Sequence, residues 1–225
     1  MKKWYKKWWG VLIICGLLFV ASFLVASAFY VYKTAQRINW EKQTADSSKQ
    51  RAEIQKLAVG DGTNYWLGTN TPKITIVEFS DFACPYCANS FTTVRDLGKK
   101  YKTSVKIIFR NFINPDYADS KSLAMAAACA GEQNKFWEMH DKLFLKQGQI
   151  TKTDYPNLAQ QLNLDTTKFN TCVANNKYAA IFNKDMSDAI ALGATSTPTW
   201  FINGYKVKGE IQETDFISFI DQLLK

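Results

Sequence analysis

Histidine is almost absent from this chain: His140 is the only one in 225 residues, and there are only five cysteines. Cys84 and Cys87 form a Cys-x-x-Cys pair, which can be half of a structural zinc site. Such a site needs two further Cys or His ligands at short spacing. Because Cys129 and Cys172 each stand alone in the sequence, the composition argues against zinc, and we predict neither a metal site nor a cofactor.

Charged residues are missing from one long segment, since Trp8 to Tyr32 contains 25 residues and no charged side chain. At about 1.5 Å per residue, such a helix covers the roughly 30 Å hydrocarbon layer of a membrane. The preceding lysines are Lys2, Lys3, Lys6 and Lys7. We therefore predict a cytoplasmic basic tail at residues 1–9 and a single-pass cell-membrane anchor at residues 10–32, with the rest outside the cytoplasm. A cleaved signal peptide is the alternative, because Ala26-Ser27-Ala28 resembles a processing site.

Positive charge is also unevenly placed along the chain. Of the net charge of +8, the basic tail contributes +4 and residues 33–59 contribute +3, which leaves +1 for residues 60–225. The excess lies beside the predicted anchor, where anionic lipids attract it, and nucleic-acid binding is not indicated. Residues 33–59 lack Gly and Pro, and we interpret them as a juxtamembrane linker, either helical or a polar spacer.

The motif Cys84-Pro85-Tyr86-Cys87 follows a β-branched strand pattern at residues 73–79 and precedes a helical pattern. A strand that leads into a helix places the first sulfur at the helix N-terminus, where unpaired N–H groups and the helix dipole favour a thiolate. Pro85 suits the first helical turn, which does not need its missing N–H. The pattern predicts thiol–disulfide exchange, in which Cys84 attacks or releases a partner's sulfur and Cys87 resolves the mixed disulfide.

The rest of the pattern predicts an α/β domain with a helical insertion at about 116–192. Strands at 74–79 and 104–112 flank a helix, and this spacing implies a parallel pair with a right-handed crossover. Predicted helices follow at 119–130, 134–145, 154–162 and 177–192. A hairpin with Asn203-Gly204 at its turn and a helix at 211–224 complete the order β-α-β, helices, β-β-α.

Four stretches of the sequence carry a resemblance to a known family. They are Val77-Glu-Phe-Ser-Asp-Phe-Ala-Cys-Pro-Tyr-Cys87, Phe136-Trp-Glu-Met-His-Asp-Lys-Leu-Phe144, Leu162-Asn-Leu-Asp165 with Phe169 to Cys172, and Gly193-Ala-Thr-Ser-Thr-Pro-Thr-Trp-Phe-Ile-Asn-Gly204. Together they resemble the thioredoxin superfamily, and within it the DsbA-like branch. The resemblance implies a thioredoxin fold with an inserted α-helical subdomain over residues 60–225.

The resemblance also implies a substrate-binding surface beside the cysteines. Thr197-Pro198 is expected to be a cis peptide next to the redox pair, although an ordinary trans turn is the alternative. In this arrangement Pro198 exposes the backbone groups of Thr197, so that an extended substrate segment can bind to Thr197 and Pro198 beside the sulfurs. Pro85 and Tyr86, between the two cysteines, belong to the same surface.

Three further predictions concern Glu78, the pair Cys129 and Cys172, and His140. The resemblance implies that Glu78 is a buried acid that exchanges a proton with Cys87, and a carboxylate that is merely hydrogen-bonded or solvated is the alternative. Cys129 and Cys172 lie on different helices of the insertion, and outside the cytoplasm we expect a structural disulfide rather than two buried thiols. We expect His140 to pack or hydrogen-bond, since thiol exchange needs no histidine.

The leading hypothesis is a membrane-anchored oxidoreductase that forms disulfides in exported proteins outside the cytoplasm. Its substrates are then exported protein thiols, and the resemblance implies re-oxidation by a membrane quinone-linked oxidase. A disulfide reductase or isomerase is an alternative, because Pro85-Tyr86 does not fix the direction of electron flow. A non-enzymatic peptide-binding module is a second alternative.

Overall fold

The computed structural model describes residues 8–62 and 64–225, and the lysines of the predicted basic tail lie outside the described residues. The α-helices in this part of the chain are α1 (Trp8–Val59), α2 (Pro85–Lys100), α3 (Ser120–Gly131), α4 (Phe136–Leu145), α5 (Tyr155–Gln161), α6 (Thr166–Ala174), α7 (Ala179–Ala191) and α8 (Glu213–Leu224). The strands are β1 (Trp66–Gly68), β2 (Ile74–Ser80), β3 (Val105–Asn111), β4 (Thr199–Ile202) and β5 (Tyr205–Lys208).

Helix α1 includes one segment that is long and apolar enough to cross a membrane, by its length and composition. The large apolar side chains of this segment are exposed, as lipid contact would require. The chain forms two compact units, of which the first ends at Gln50 and the second comprises Arg51–Lys225. The end of α1 belongs to the second unit, where Ala58 is fully buried against Val77 and Phe201.

Strand β2 lies at the centre of a five-stranded mixed sheet with the order β1-β3-β2-β4-β5. It pairs parallel with β3 and antiparallel with β4. Its sequence, Ile74-Thr-Ile-Val-Glu-Phe-Ser80, is buried at every position except Thr75, since both faces of the sheet are covered. Asn203 and Gly204 both have positive φ, as the tight turn between β4 and β5 requires. The α/β architecture with an inserted helical subdomain agrees with the fold class implied by the resemblance.

The edge strand β1 corrects the predicted order, which contained no strand before β2. It pairs antiparallel with β3, with Trp66 opposite Ile108 and Gly68 opposite Lys106. A side chain at Gly68, whose φ is +98°, would meet the carbonyl oxygen of Val105. Three residues are too few to show the alternation that identifies a strand, so this pairing depends on tertiary contacts.

Helices α3 to α7 form the inserted subdomain between β3 and β4. α3, α4, α5 and α7 begin and end within two residues of the predicted segments. The alanines of α3 are buried and small, so neighbouring helices can pack closely against it. A disulfide between Cys129 on α3 and Cys172 on α6 has an S–S distance of 2.02 Å.

A buried guanidinium joins the sheet to two helices. Arg110 on β3 donates from Nε to Asp185 at 2.8 Å and from Nη2 to Asp188 at 2.6 Å, both on α7. Its Nη1 donates to the carbonyl oxygens of Leu57 at 3.0 Å and Ala58 at 3.1 Å, near the end of α1. Because all these partners are acceptors, the buried charge is fully compensated, and loss of any partner would be costly.

Replacing both Cys129 and Cys172 by Ala should lower the free energy of unfolding by about 4 kcal/mol, because the disulfide closes a 43-residue loop in the unfolded chain. Urea unfolding of the detergent-solubilised protein measures the change, with Cys15→Ala as the matched control. Mass spectrometry of unreduced, alkylated protein provides a second check. Alkylation of both cysteines in the folded wild type would contradict the disulfide.

Candidate active site

Cys84 lies at the N-terminus of α2, directly after the loop that follows β2. It is the N-cap residue, with extended φ and ψ of −82° and 122°, and Pro85 begins the helix. The carbonyl oxygen of Cys84 accepts from the N–H groups of Cys87 and Ala88, both at 3.1 Å. Cys84 and Cys87 are free thiols, so the structure represents the reduced form of the pair.

The loop before β4 lies against the cysteine pair. Thr197-Pro198 is a cis peptide, as the resemblance implied. Sγ of Cys84 lies 3.5 Å from the carbonyl oxygen of Thr197, 113 residues away in the sequence, and only the thiol form of Cys84 can donate to this oxygen. The sheet brings the two loops together, because Phe79 near the end of β2 is paired with Thr199 at the start of β4.

The two thiols have opposite acidities. The pKa of Cys84 is lowered from 9.0 to about 5, chiefly by a hydrogen bond from the Cys87 thiol, and also by the Thr197 side chain and the N–H groups of Cys87 and Tyr86. Burial raises the pKa of Cys87 well above its ordinary value, and the adjacent Cys84 sulfur raises it further. Near neutral pH, Cys84 is therefore a thiolate and Cys87 a thiol, which is the arrangement that an attacking or leaving sulfur and a resolving sulfur require.

Glu78 occupies a buried position on β2, where it is paired with Trp200 on β4 and is 2% exposed. Burial raises the pKa of its carboxyl group from 4.5 to about 8. The charge of Glu78 raises the pKa of Cys87, so the two groups are close enough to interact. Glu78 is therefore buried and not solvated, while its exchange of a proton with Cys87 stays a prediction.

The residues between the cysteines face solvent. Pro85 is exposed and the Tyr86 side chain is 61% exposed, so both are accessible to a second molecule. The sequence did not single out Tyr117, which lies at this site. Partial burial raises the pKa of Tyr117, and the charge of the Cys84 thiolate raises it further. A lone tyrosine 33 residues after Cys84 gave no signal of this interaction.

The other predicted residues lie apart from the reacting sulfurs. Cys129 and Cys172 are bonded to each other. His140 is fully buried, and its Nδ1 lies 3.0 Å from the Asp141 carboxylate. Its ring also packs against aromatic residues such as Phe82 and Phe144, and packing and hydrogen bonding are the two contacts that were expected of His140.

The sequence of the second compact unit identifies its family. A family model described as Thioredoxin matches residues 60–222. The chain belongs to the thioredoxin family. Among curated proteins, the Na(+)/H(+) antiporter NhaA 1 of Salinispora arenicola (strain CNS-205) is 34% identical over 143 residues, which are 63% of this chain and 22% of the antiporter. The chain thus spans less than a quarter of that relative's length.

Solved structures of thioredoxin-like proteins share the fold. The thiol–disulfide exchange protein alpha-DsbA2 from Wolbachia pipientis superposes with a TM-score of 0.69 and 20% identity, covering 79% of this chain and 96% of that one. Oxidised BdbD from Bacillus subtilis gives a TM-score of 0.64 and 23% identity, covering 72% and 92%. These similarities show that this thioredoxin-family member shares its fold with these proteins.

The rate at which iodoacetamide alkylates Cys84 in the reduced protein should rise with pH through a midpoint near 5, because only the thiolate reacts. Mass spectrometry of the Cys84 peptide measures this rate separately from the other thiols. Cys87→Ala removes the hydrogen-bond donor and should move the midpoint upward, whereas Cys87→Ser keeps a donor and should move it less. A wild-type midpoint near 8.5, the ordinary cysteine value, would contradict the proposed thiolate stabilisation.

Proposed function

We propose that the protein is a membrane-anchored thiol–disulfide oxidoreductase that donates its Cys84–Cys87 disulfide to exported proteins. The observation that carries this proposal is the stabilisation of the Cys84 thiolate at the N-terminus of α2. A stabilised thiolate favours the reduced dithiol over the disulfide, and a pair that favours its reduced form oxidises other thiols.

The reaction begins when a substrate thiolate attacks Sγ of Cys84 in the oxidised pair. The Cys84–Cys87 bond breaks, a mixed disulfide forms, and Cys87 leaves as a thiolate that takes up a proton. A second substrate thiolate then attacks the substrate sulfur of the mixed disulfide and releases Cys84 as a thiolate. The substrate has lost two electrons, the pair has gained them, and the low pKa of Cys84 makes it a good leaving group.

Glu78 is proposed to exchange the proton of Cys87. The thiol is buried and its pKa is raised by burial, so its thiolate needs a proton as soon as the disulfide opens. Glu78 is buried beside it, and a carboxyl group with a pKa of about 8 can both give and accept a proton near neutral pH.

The cis-proline loop is proposed to bind the substrate backbone. The Thr197 carbonyl lies next to Cys84, and Pro198 is buried immediately before the start of β4. An extended segment of an unfolded protein can add its backbone hydrogen bonds here while its cysteine meets Cys84. The exposed Pro85 and Tyr86 provide contact area that does not depend on the substrate's sequence.

The apolar segment of α1 is proposed to anchor the protein at residues 10–32, with residues 1–9 in the cytoplasm and the thioredoxin domain outside. The four lysines before the segment favour this orientation. Outside the cytoplasm the reduced pair needs an electron acceptor in order to act again. A quinone-linked oxidase in the same membrane is the proposed acceptor, as the family resemblance implies.

Equilibration of the full-length protein with glutathione buffers should give a reduction potential closer to about −120 mV, the value for DsbA, than to about −270 mV, the value for thioredoxin. Alkylation followed by mass spectrometry measures the fraction of reduced Cys84–Cys87 in each buffer. A potential near that of thioredoxin would overturn the oxidase assignment and indicate a reductase. The variant in which both Cys129 and Cys172 are replaced by Ala is the control. An unchanged potential in this variant shows that only the Cys84–Cys87 pair is measured.

Glu78→Gln should stabilise the protein at pH 8 and change its stability little at pH 5. The folded pKa of Glu78, about 8, lies above its ordinary 4.5, so its contribution is complete below pH 4.5 and is lost as the pH rises through 8. The amide of the Glu78→Gln variant stays neutral at both pH values, so the variant does not lose stability as the pH rises through 8. Thermal unfolding at both pH values measures the difference, with Glu213→Gln, at an exposed position, as the control.

The same Glu78→Gln variant tests the proton relay. If Glu78 exchanges the Cys87 proton, the pH dependence of thiol–disulfide exchange with a model dithiol peptide should change between pH 5 and 9. An unchanged pH profile would show that Glu78 is only a buried acid and not a relay.

A further inference from the structure

The loop between β2 and α2 is anchored to the inserted subdomain by hydrogen bonds. Residues 81–84 have no regular secondary structure, so their backbone polar groups need partners from elsewhere. One oxygen of the buried Asp81 carboxylate accepts from the N–H of Ala83 at 2.8 Å. The other accepts from the N–H of Asn114 at 3.0 Å and from the hydroxyl of Ser120 at 2.7 Å. This carboxylate therefore ties the loop to the start of α3.

A second side chain binds the same loop from another helix. Gln147 follows the end of α4, and its Nε2 donates to the carbonyl oxygen of Phe82 at 2.8 Å and to that of Cys84 at 3.0 Å. The rings of Phe82 and Phe144 pack 4.9 Å apart at the same junction. Gln147 also lines a cavity of about 500 Å³, together with Pro85. The end of α4 is thus attached to the loop that carries Cys84.

The carbonyl that Gln147 binds is part of the first turn of α2. The Cys84 oxygen accepts from the N–H groups of Cys87 and Ala88, both at 3.1 Å. The N–H groups of Tyr86 and Cys87 in this turn also stabilise the Cys84 thiolate. The orientation of the peptide group between Cys84 and Pro85 therefore affects the first hydrogen bonds of α2. It also affects the N–H groups of Tyr86 and Cys87 that face the Cys84 sulfur.

The chemistry of a glutamine side chain suits this position. An amide nitrogen has two N–H donors and no charge, so Gln147 can bond two carbonyl oxygens at once. An ionised glutamate of the same length would only accept, and a methionine of similar length would do neither. Without the amide, the carbonyl of Phe82 would lose the side-chain donor that it has in this structure.

We propose that Gln147 is a positioning residue for the redox pair, because its amide holds the carbonyls of Phe82 and Cys84 and so fixes the Cys84 sulfur over the N-terminus of α2. The inference rests on the proposed thiol–disulfide exchange and extends it. Gln147 acts through the backbone and not on the reacting sulfurs. Through this contact the inserted helical subdomain sets the reactivity of a cysteine that the sheet and α2 carry.

The test compares Gln147→Met with Gln149→Met in the full-length, detergent-solubilised protein. Gln149 is an exposed glutamine two residues further along the same connection, so it is a matched control. Gln147→Met should raise the pKa of Cys84 by about one unit, which is a roughly tenfold smaller thiolate fraction below the pKa. Iodoacetamide alkylation of the Cys84 peptide across pH measures it, and Gln149→Met should match the wild type.

A second variant and a second measurement separate positioning from stability. Gln147→Asn keeps a neutral amide on a shorter side chain, and its Cys84 pKa should lie between those of the wild type and Gln147→Met. In glutathione buffers, Gln147→Met should also have a smaller reduced fraction than the wild type at the same buffer ratio. If both variants lower the melting temperature but leave the Cys84 pKa and the reduced fraction unchanged, the amide is only structural and the inference is wrong.

The wild type distinguishes failure of this inference from failure of the proposed function. If wild-type Cys84 and Cys87 do not equilibrate with glutathione at all, the proposed function itself fails. If the wild type equilibrates and Gln147→Met is indistinguishable from it, only the positioning role fails. Should Gln147→Met not fold, the Gln147→Asn comparison decides the inference by the same two measurements.

Discussion

The pairing of β2 on both of its edges is the constraint on which the candidate site depends. β2 pairs parallel with β3 and antiparallel with β4, so its last residues lie beside the first residues of β4. The loop after β2 carries Cys84, and the loop before β4 carries Thr197 and Pro198. Residues 113 positions apart therefore meet at one end of the sheet. A shift of β2 by one residue would turn Glu78 to the opposite face and separate it from Cys87.

Much of this arrangement could be predicted from local signals in the sequence. A Cys-x-x-Cys pair between a strand and a helix indicates a thiolate at a helix N-terminus, and the pKa of Cys84 agrees with this reasoning. The long helices of the insertion have clear apolar periodicity, so their bounds were predicted closely. The burial of Glu78 and the cis peptide at Pro198 were predicted from the family resemblance and not from spacing or periodicity.

The features that the sequence did not reveal depend on contacts between distant residues of ordinary type. Strand β1 is three residues long and exists because β3 offers it a free edge. The buried ion pairs of Arg110 could not be predicted, because its partners Asp185 and Asp188 lie more than 70 residues away in the sequence. Gln147 gives no signal at all, since its partners are backbone carbonyls of another segment. The placement of Cys84 and Cys87 at the start of α2 could therefore be predicted from the sequence, while the groups that hold them in place could not.

The disulfide between Cys129 and Cys172 makes the protein a client of its own proposed chemistry. Under that proposal, a newly exported copy with both thiols reduced offers the same functional group as any other exported thiol protein, and an oxidised copy would be able to supply its disulfide. Formation of the Cys129–Cys172 disulfide would then depend on the same electron acceptor as turnover, so loss of that acceptor would stop both the reaction and the maturation of new copies.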